Sequence, residues 1–269
     1  MAPGSIHRNA MFIDSHCHLS FPELSAQLPE ILAAMQTAQV RQALTICTTM
    51  EEFPSVLALA QTHAQLFASV GVHPDNEGIH EPSEDELVAA SQHEKVLAIG
   101  ETGLDYYRLN GRSLDDMEWQ RERFRTHIRA AHRAGKPMVI HTRSSAADTL
   151  RLLNEEGGEQ AGGVFHCFTE SLDVAKAAVD KGYYISFSGI LTFKNAADLR
   201  EVAAALPLDH LLIETDSPYL APVPYRGKTN SPAYVPHVAA QLAAIKGLSV
   251  EAVAEATTAN TRRLFRMPA

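Results

Sequence analysis

Eight short apolar runs recur along the 269-residue chain, with amphipathic helical stretches between them, and this rhythm constrains the fold more than any other feature. The runs are Phe12–Ser15, Ala43–Cys47, Leu66–Val70, Val96–Gly100, Met138–Ile140, Gly163–Phe165, Tyr183–Phe187 and Leu211–Ile213. Most are nearly continuous in apolar character, as parallel strands buried on both faces must be. Their spacing of about 20–40 residues leaves room for one crossover helix each time. A count of eight favours a closed (β/α)8 barrel over an open sheet.

Helix punctuation agrees with this rhythm. Ser113 with Asp116, Ser145 with Asp148, and Asn195 with Asp198 read as N-caps followed three residues later by a carboxylate, approximating the capping box. Gly135, Gly157 and Gly182 fall where a helix ends in a left-handed residue, and Pro137 and Pro207 sit just beyond helix ends. No linker, repeat or low-complexity tract interrupts the pattern. One domain is expected over residues 11–269, preceded by a disordered lead or alternative start over Met1–Ala10.

The composition excludes several classes of protein. No apolar run reaches the roughly 18–20 residues that span a bilayer, and the first ten residues do not form a signal peptide. Three scattered cysteines, Cys17, Cys47 and Cys167, are not a disulfide framework. They suit a reducing compartment, so the expected location is the cytoplasm. The formal net charge of −9 gives no global sign of nucleic-acid binding. Nothing points to an obligate protein partner.

The chemistry lies at the ends of the apolar runs. The first ends in Asp14-Ser15-His16-Cys17-His18. Alternation along a strand aims His16 and His18 the same way and Cys17 the other, so two imidazoles can reach one cation. The fourth run leads into Glu101, the fifth into His141, the sixth into His166 and the eighth into Asp216. In a barrel of this kind all strand C-termini meet on one face, where its active sites lie. Six candidate ligands, His16, His18, Glu101, His141, His166 and Asp216, therefore converge.

Four histidines and two carboxylates exceed one tetrahedral site. They suit two divalent cations sharing a carboxylate. The nitrogen-rich set favours Zn, Mn, Fe, Co or Ni over an all-oxygen Mg or Ca cage, and spacing does not choose among them; Mg stays on the list of divalent ions. His73, after the third run, is expected to touch substrate or a ligand. Glu214, one layer below Asp216, is expected to orient a histidine. His63, His93, His127 and His132 read as surface or packing residues, and Cys17 and Cys167 as packing.

The segments DSHCHL, GVHP, GETGLDYY, VIHTR, GVFHCF, YISFSG and ETDSPYLAPVPYRGK closely resemble the TatD family of metal-dependent hydrolases, in its YcfH-like bacterial branch. The likeness runs from about Met11 to Phe265. It implies an amidohydrolase-type barrel with metal ligands at His16, His18, Glu101, His141, His166 and Asp216. It also implies deoxyribonuclease activity, in several members 3′→5′ on single strands.

The expected reaction is hydrolysis of DNA phosphodiester bonds, with Glu101 joining the two cations and Asp216 accepting the proton of the attacking water. Arg143 is placed to neutralise a phosphate, and Arg226 and Lys228 to bind neighbouring ones. The same rim carries Arg108, Arg112 and Lys194, and also Asp75, Glu77, Asp105 and Glu170. Tyr106, Tyr107, Phe168, Phe193, Tyr219 and Tyr225 are candidates to stack on unpaired bases. The alternatives are a small-molecule amidohydrolase or phosphoesterase on the same centre, and a non-catalytic metal-binding scaffold.

Overall fold

The computed structural model describes residues 10–269. The expected lead over Met1–Ala10 thus lies outside the described residues, apart from Ala10, which is buried. Eight strands form one sheet in sequence order, every neighbouring pair parallel. They are β1 (Phe12–Cys17), β2 (Val40–Thr45), β3 (Leu66–Val70), β4 (Val96–Asp105), β5 (Met138–Arg143), β6 (Gly163–Phe165), β7 (Tyr184–Phe187) and β8 (Leu211–Ile213). The helices are α1 (Pro22–Ser25), α2 (Leu28–Thr37), α3 (Phe53–Thr62), α4 (Glu84–Ala90), α5 (Glu118–Ala134), α6 (Ala146–Glu155), α7 (Leu172–Asp180), α8 (Ala197–Ala205), α9 (Val235–Lys246) and α10 (Val250–Phe265). Among the described residues no helix is long and apolar enough to cross a membrane.

The sheet closes on itself as a (β/α)8 barrel. The seam is made by the segment after β8 rather than by a ladder: Asp216 N donates to His16 O at 2.9 Å, His18 N donates to Ser217 O at 2.8 Å, and Cys17 pairs with Ser217 in a single parallel bridge. Inside the barrel Ile13, Leu44, Phe67, Val139, Val164 and Leu212 pack together. Phe265 and Met267 join them from the chain's end, closing the barrel opposite the histidines. The larger cluster lies between strands and helices and includes Phe12, Phe124, Ile140 and Phe187. Each such fully buried side chain contributes about 1.5–3 kcal/mol.

Five strands depart from their expected bounds. β1 runs on to Cys17, β4 to Asp105 and β5 to Arg143, β2 spans Val40–Thr45 rather than Ala43–Cys47, and β7 starts at Tyr184 rather than Tyr183. The extensions go with local irregularity. Ile13 packs inside the barrel and Cys17 outside, although strict alternation would put residues four apart on one face. The register shift between Asp14 and Cys17 absorbs the difference and turns His16 inward. A second shift, between Ile99 and Thr102, serves Glu101 in the same way.

Two glycines make that second arrangement possible. Gly100 and Gly103 have φ of 143° and 138°. A Cβ on Gly100 would stand 2.6 Å from Val139 O, and one on Gly103 would overlap the carbonyl oxygen of His141. Only glycine lets β4 approach β5 this closely.

Helix caps are mixed. Ser113 and Asp116 make the expected reciprocal bonds, Ser113 N to Asp116 Oδ2 at 2.8 Å and Asp116 N to Ser113 Oγ at 3.4 Å, although the helical turn that follows has Leu114 at its N-cap. Ser145 precedes α6 but its hydroxyl donates to Leu104 O at 2.7 Å instead of capping. Asn195 is not a cap, because α8 starts one residue later than a cap there would require, with Ala196 at its N-cap. A full capping box, Ser83 with Glu86, opens α4.

Candidate metal centre

The barrel brings all six expected ligands together, and their atoms divide into two groups on either side of one carboxylate. Glu101 Oε2 lies 3.3 Å from His16 Nε2 and 3.9 Å from His18 Nε2. Asp216 Oδ1 completes this group, 3.4 Å from His16 Nε2 and 3.3 Å from His18 Nε2. The other oxygen, Glu101 Oε1, lies 2.7 Å from His166 Nε2, 3.1 Å from His141 Nδ1 and 3.3 Å from His73 Nε2. The glutamate side chain is 3% exposed, so water does little to solvate its charge.

The donor set fits divalent cations. Bonds of about 2.0–2.2 Å from an ion to nitrogen or oxygen put ligand atoms roughly 3–3.5 Å apart, and most of the distances around Glu101 lie in that range, with 2.7 Å and 3.9 Å at the extremes. Several buried ring nitrogens are left without a partner. His166 Nε2 is 2.7 Å from Glu101 Oε1 yet has no hydrogen-bond partner. His16 Nε2 and His18 Nε2 face each other at 3.2 Å while both Nδ1 atoms are buried and unpartnered. Buried polar nitrogens crowded round a dry carboxylate are groups that a cation would satisfy.

The charge balance points the same way. Burial raises the Glu101 pKa, but His166, His73, His16 and His141 outweigh it and hold the carboxyl well below its ordinary range. Burial works against charge on His166, yet Glu101 and Glu214 hold its pKa well above the imidazole value. His16, stacked on His166 with ring centroids 3.9 Å apart, is lowered by burial and then by that neighbour. Burial opposes ionisation of Asp216, but His18, His16 and His166 keep it ionised. Glu101 and Asp216 are thus held ionised, the state in which a carboxylate can ligate a cation.

Outer carboxylates fix two of the rings. Glu214 Oε1 lies 3.2 Å from His166 Nδ1, as expected from its place one layer below Asp216. Asp105 Oδ2 lies 2.9 Å from His141 Nε2, a role the sequence reading missed. It had placed Asp105 in a rim loop, whereas β4 continues to that residue and leaves it 3% exposed. Asp14 is also buried. It accepts from His16 N at 3.2 Å and Thr215 N at 2.9 Å, and burial pushes its carboxyl up to about 8. Asp14 thus ties the backbone of β1 to that beside Asp216.

The rim differs from expectation in several places. Phe168 is fully buried and Tyr106 is buried with its hydroxyl 2.8 Å from Asp148, so neither can stack on a base. Tyr225 already stacks on Tyr234 at 4.0 Å. Arg112 is paired with Glu77 at 2.7 Å. Tyr107 and Tyr219 remain open, at 60% and 53% exposure. Arg143 lies over the Tyr107 ring at 3.7 Å and Arg226 over the Phe193 ring at 3.6 Å. Arg143, Arg226 and Lys228 are exposed. Cys17 packs outside the barrel with its thiol toward Leu44 O, and Cys167 lies against Ser188, both as expected.

A family model described as TatD related DNase matches residues 13–266. The chain belongs to the TatD family of metal-dependent hydrolases. Relatives in this family include the uncharacterized metal-dependent hydrolase YcfH of Escherichia coli K12, 44% identical over 260 residues and covering 96% of each chain. The uncharacterized metal-dependent hydrolase YabD of Bacillus subtilis is 38% identical, over 96% of this chain and all of its own. The solved structure of YjjV, a TatD homologue from E. coli K12, superposes with a TM-score of 0.86 at 31% identity, covering 96% of this chain and 98% of that one. As a TatD-family hydrolase the chain depends on metal, and the histidine and carboxylate groups around Glu101 are where its described residues can hold it.

Proposed function

We propose that this TatD-family hydrolase is a deoxyribonuclease that cleaves phosphodiester bonds of single-stranded DNA, from the 3′ end, at a centre of two divalent cations. One observation carries the reading: the two oxygens of Glu101 are divided between two groups of candidate ligands, His16, His18 and Asp216 on one side and His141 and His166 on the other. Cations held there supply charge neutralisation to a phosphate oxygen and make a water acidic enough to ionise near neutral pH.

The chain's own groups do the rest. Asp216, whose side chain is 15% exposed against 3% for Glu101, is the carboxylate with room to accept the proton of the attacking water. Glu214 and Asp105 hold His166 and His141 with the ligating nitrogens facing Glu101. Arg143 and Arg226, each backed by an aromatic ring, offer positive charge at the end of β5 and in the loop after β8 despite the net charge of −9, because binding follows the local field. Tyr219, and the face of Tyr107 that Arg143 does not cover, are surfaces for unpaired bases. All three cysteines are free, which suits the cytoplasm.

The experiment is a turnover screen of metal-free protein reloaded with Zn, Mn, Mg, Fe, Co or Ni. End-labelled single-stranded oligonucleotides are set beside small phosphodiesters, esters, lactones and amides. Metal-dependent shortening from the 3′ end is expected. Turnover confined to a small ester or amide would replace DNA as the substrate while leaving the centre in place.

A further inference from the structure

Distance alone groups His73 with Glu101 and His141 as possible ligands of one ion, but hydrogen bonds separate it from them. In a metal-binding imidazole one nitrogen gives its lone pair to the ion and the other carries the proton, which it donates outward. His141 and His166 meet that requirement, since their outer nitrogens face the carboxylates of Asp105 and Glu214. His73 is wired the opposite way. Its outer nitrogen, Nδ1, accepts the backbone N–H of Asp75 at 3.0 Å. An N–H donor there leaves the ring's proton on Nε2, the atom that stands 3.3 Å from Glu101 Oε1.

We propose that His73 is no metal ligand but a fixed hydrogen-bond donor, presenting Nε2–H to the substrate oxygen on which negative charge develops. The inference rests on reading the Glu101 cluster as the metal centre and does not depend on the substrate being DNA. Its side chain is 19% exposed, close to the 17% of His141 and well above the 1% of His16 and 4% of His166, so it lies on the open side of the cluster, within reach of a substrate.

The surroundings hold the ring in this orientation. His73 N donates to Thr48 O at 2.9 Å. Two residues one turn apart on α5 grip the loop from behind. Arg123, 2% exposed, donates from Nη1 to His73 O at 2.8 Å and is paired with Glu81. His127 accepts Val72 N at 3.0 Å on Nε2 while its Nδ1 donates to Arg123 O at 2.8 Å. A donor so fixed beforehand costs no reorganisation as charge develops, which is how oxyanion-binding groups act.

Two measurements test this. In zinc-loaded protein the ¹⁵N resonances of His73 should show Nε2 protonated and Nδ1 not, while His141 and His166 show a metal-bonded inner nitrogen. In parallel, His73→Ala should take up zinc with the stoichiometry and affinity of the unaltered protein, whereas His141→Ala should not. On the substrate found to be turned over, His73→Ala should lower kcat about 10²-fold, the usual loss for one such donor, with KM changed far less, and His73→Gln, which keeps an N–H, should recover part of it. A zinc-bonded Nε2, or loss of one metal equivalent in His73→Ala, would overturn the assignment. So would full activity in His73→Ala. Failure of the DNA reading alone would appear as inertness toward oligonucleotides with the ¹⁵N pattern intact.

Discussion

Asp105 Oδ2 stands 2.9 Å from His141 Nε2 and thereby decides which nitrogen of that ring faces Glu101. Burial raises the Asp105 carboxyl, but His141 outweighs it and the net shift is downward, so the pair is a carboxylate and an imidazole that gains by carrying its proton on Nε2. Nδ1 is then free to give its lone pair to a cation. Glu214 does the same for His166 from the opposite side of the barrel, with the two nitrogens exchanged.

Asp105→Asn should therefore weaken metal binding without unfolding the barrel. Asp105 Oδ1 also accepts Tyr107 N at 2.9 Å, and an amide oxygen can keep that bond. Loss of the charge opposite His141 should cost about 10-fold in affinity, and Asp105→Ala nearer 100-fold, the range for carboxylates behind a metal-bound histidine. Chelator competition with zinc measures both. Unchanged affinity in the two variants would remove Asp105 from the centre.

Glu101→Ala should be more damaging than either, since it deletes an atom from each group of ligands at once. Metal content should fall on both sides of the cluster, and activity by more than about 10²-fold, beyond the cost of an outer carboxylate. Circular dichroism and the unfolding midpoint should show the barrel intact. Loss of a single metal equivalent would mean that Glu101 serves one ion only.

Asp216→Asn separates ligation from proton transfer. An amide oxygen can coordinate weakly but cannot take up a proton near neutral pH. Metal should be partly retained while kcat falls much more than KM changes. Steady kcat in a metal-loaded variant would move the proton acceptor elsewhere, with Glu214 the nearest carboxylate on the same segment.

The fold and the convergence of six candidate ligands were legible because parallel strands buried on both faces read as unbroken apolar runs, and a barrel sends all their ends to one rim. What alternation could not show was where that period breaks. The shifts at Asp14–Cys17 and Ile99–Thr102 lengthen β1 and β4, and the second draws Asp105 out of the supposed loop into the centre. Loop conformation was equally hidden. Nothing in the local sequence says that Asp75 N returns to His73 Nδ1, or that Phe168 turns inward while Tyr219 turns out. His127 read as a packing residue because its partner, Val72 N, lies 55 positions away.

That buried histidine gives the molecule an acid-sensitive support. Burial drives His127 from its ordinary 6.5 down to about 4. Between those values the unfolded chain binds the proton and the folded one does not. Its contribution to stability is therefore complete above pH 6.5 and is lost as pH falls toward 4, by about 3 kcal/mol in all. Measured by urea unfolding, the gap in stability between the unaltered protein and His127→Gln should narrow by that order over this interval. A gap independent of pH would show that His127 charges equally in both states.

The remaining prediction concerns the substrate. Arg226 lies over Phe193 at 3.6 Å and Lys228 beside Tyr225 at 6.0 Å, both in the loop after β8. Both are exposed and neither makes an ion pair among the described residues. A strand running out of the centre would carry its neighbouring phosphates past this loop, and contacts with them release counterions, so affinity falls steeply with salt. The double variant Arg226→Ala, Lys228→Ala should raise KM for a single-stranded oligonucleotide several-fold and flatten its salt dependence by about two phosphate contacts. Hydrolysis of a small activated phosphodiester, which reaches only the metal centre, should hardly change. Equal loss on both substrates would mean that the loop shapes the centre itself, and no loss on either would mean that no strand passes there. In both cases the DNA reading would be left to the division of Glu101 between its two groups of ligands and to the family, without support from the rim.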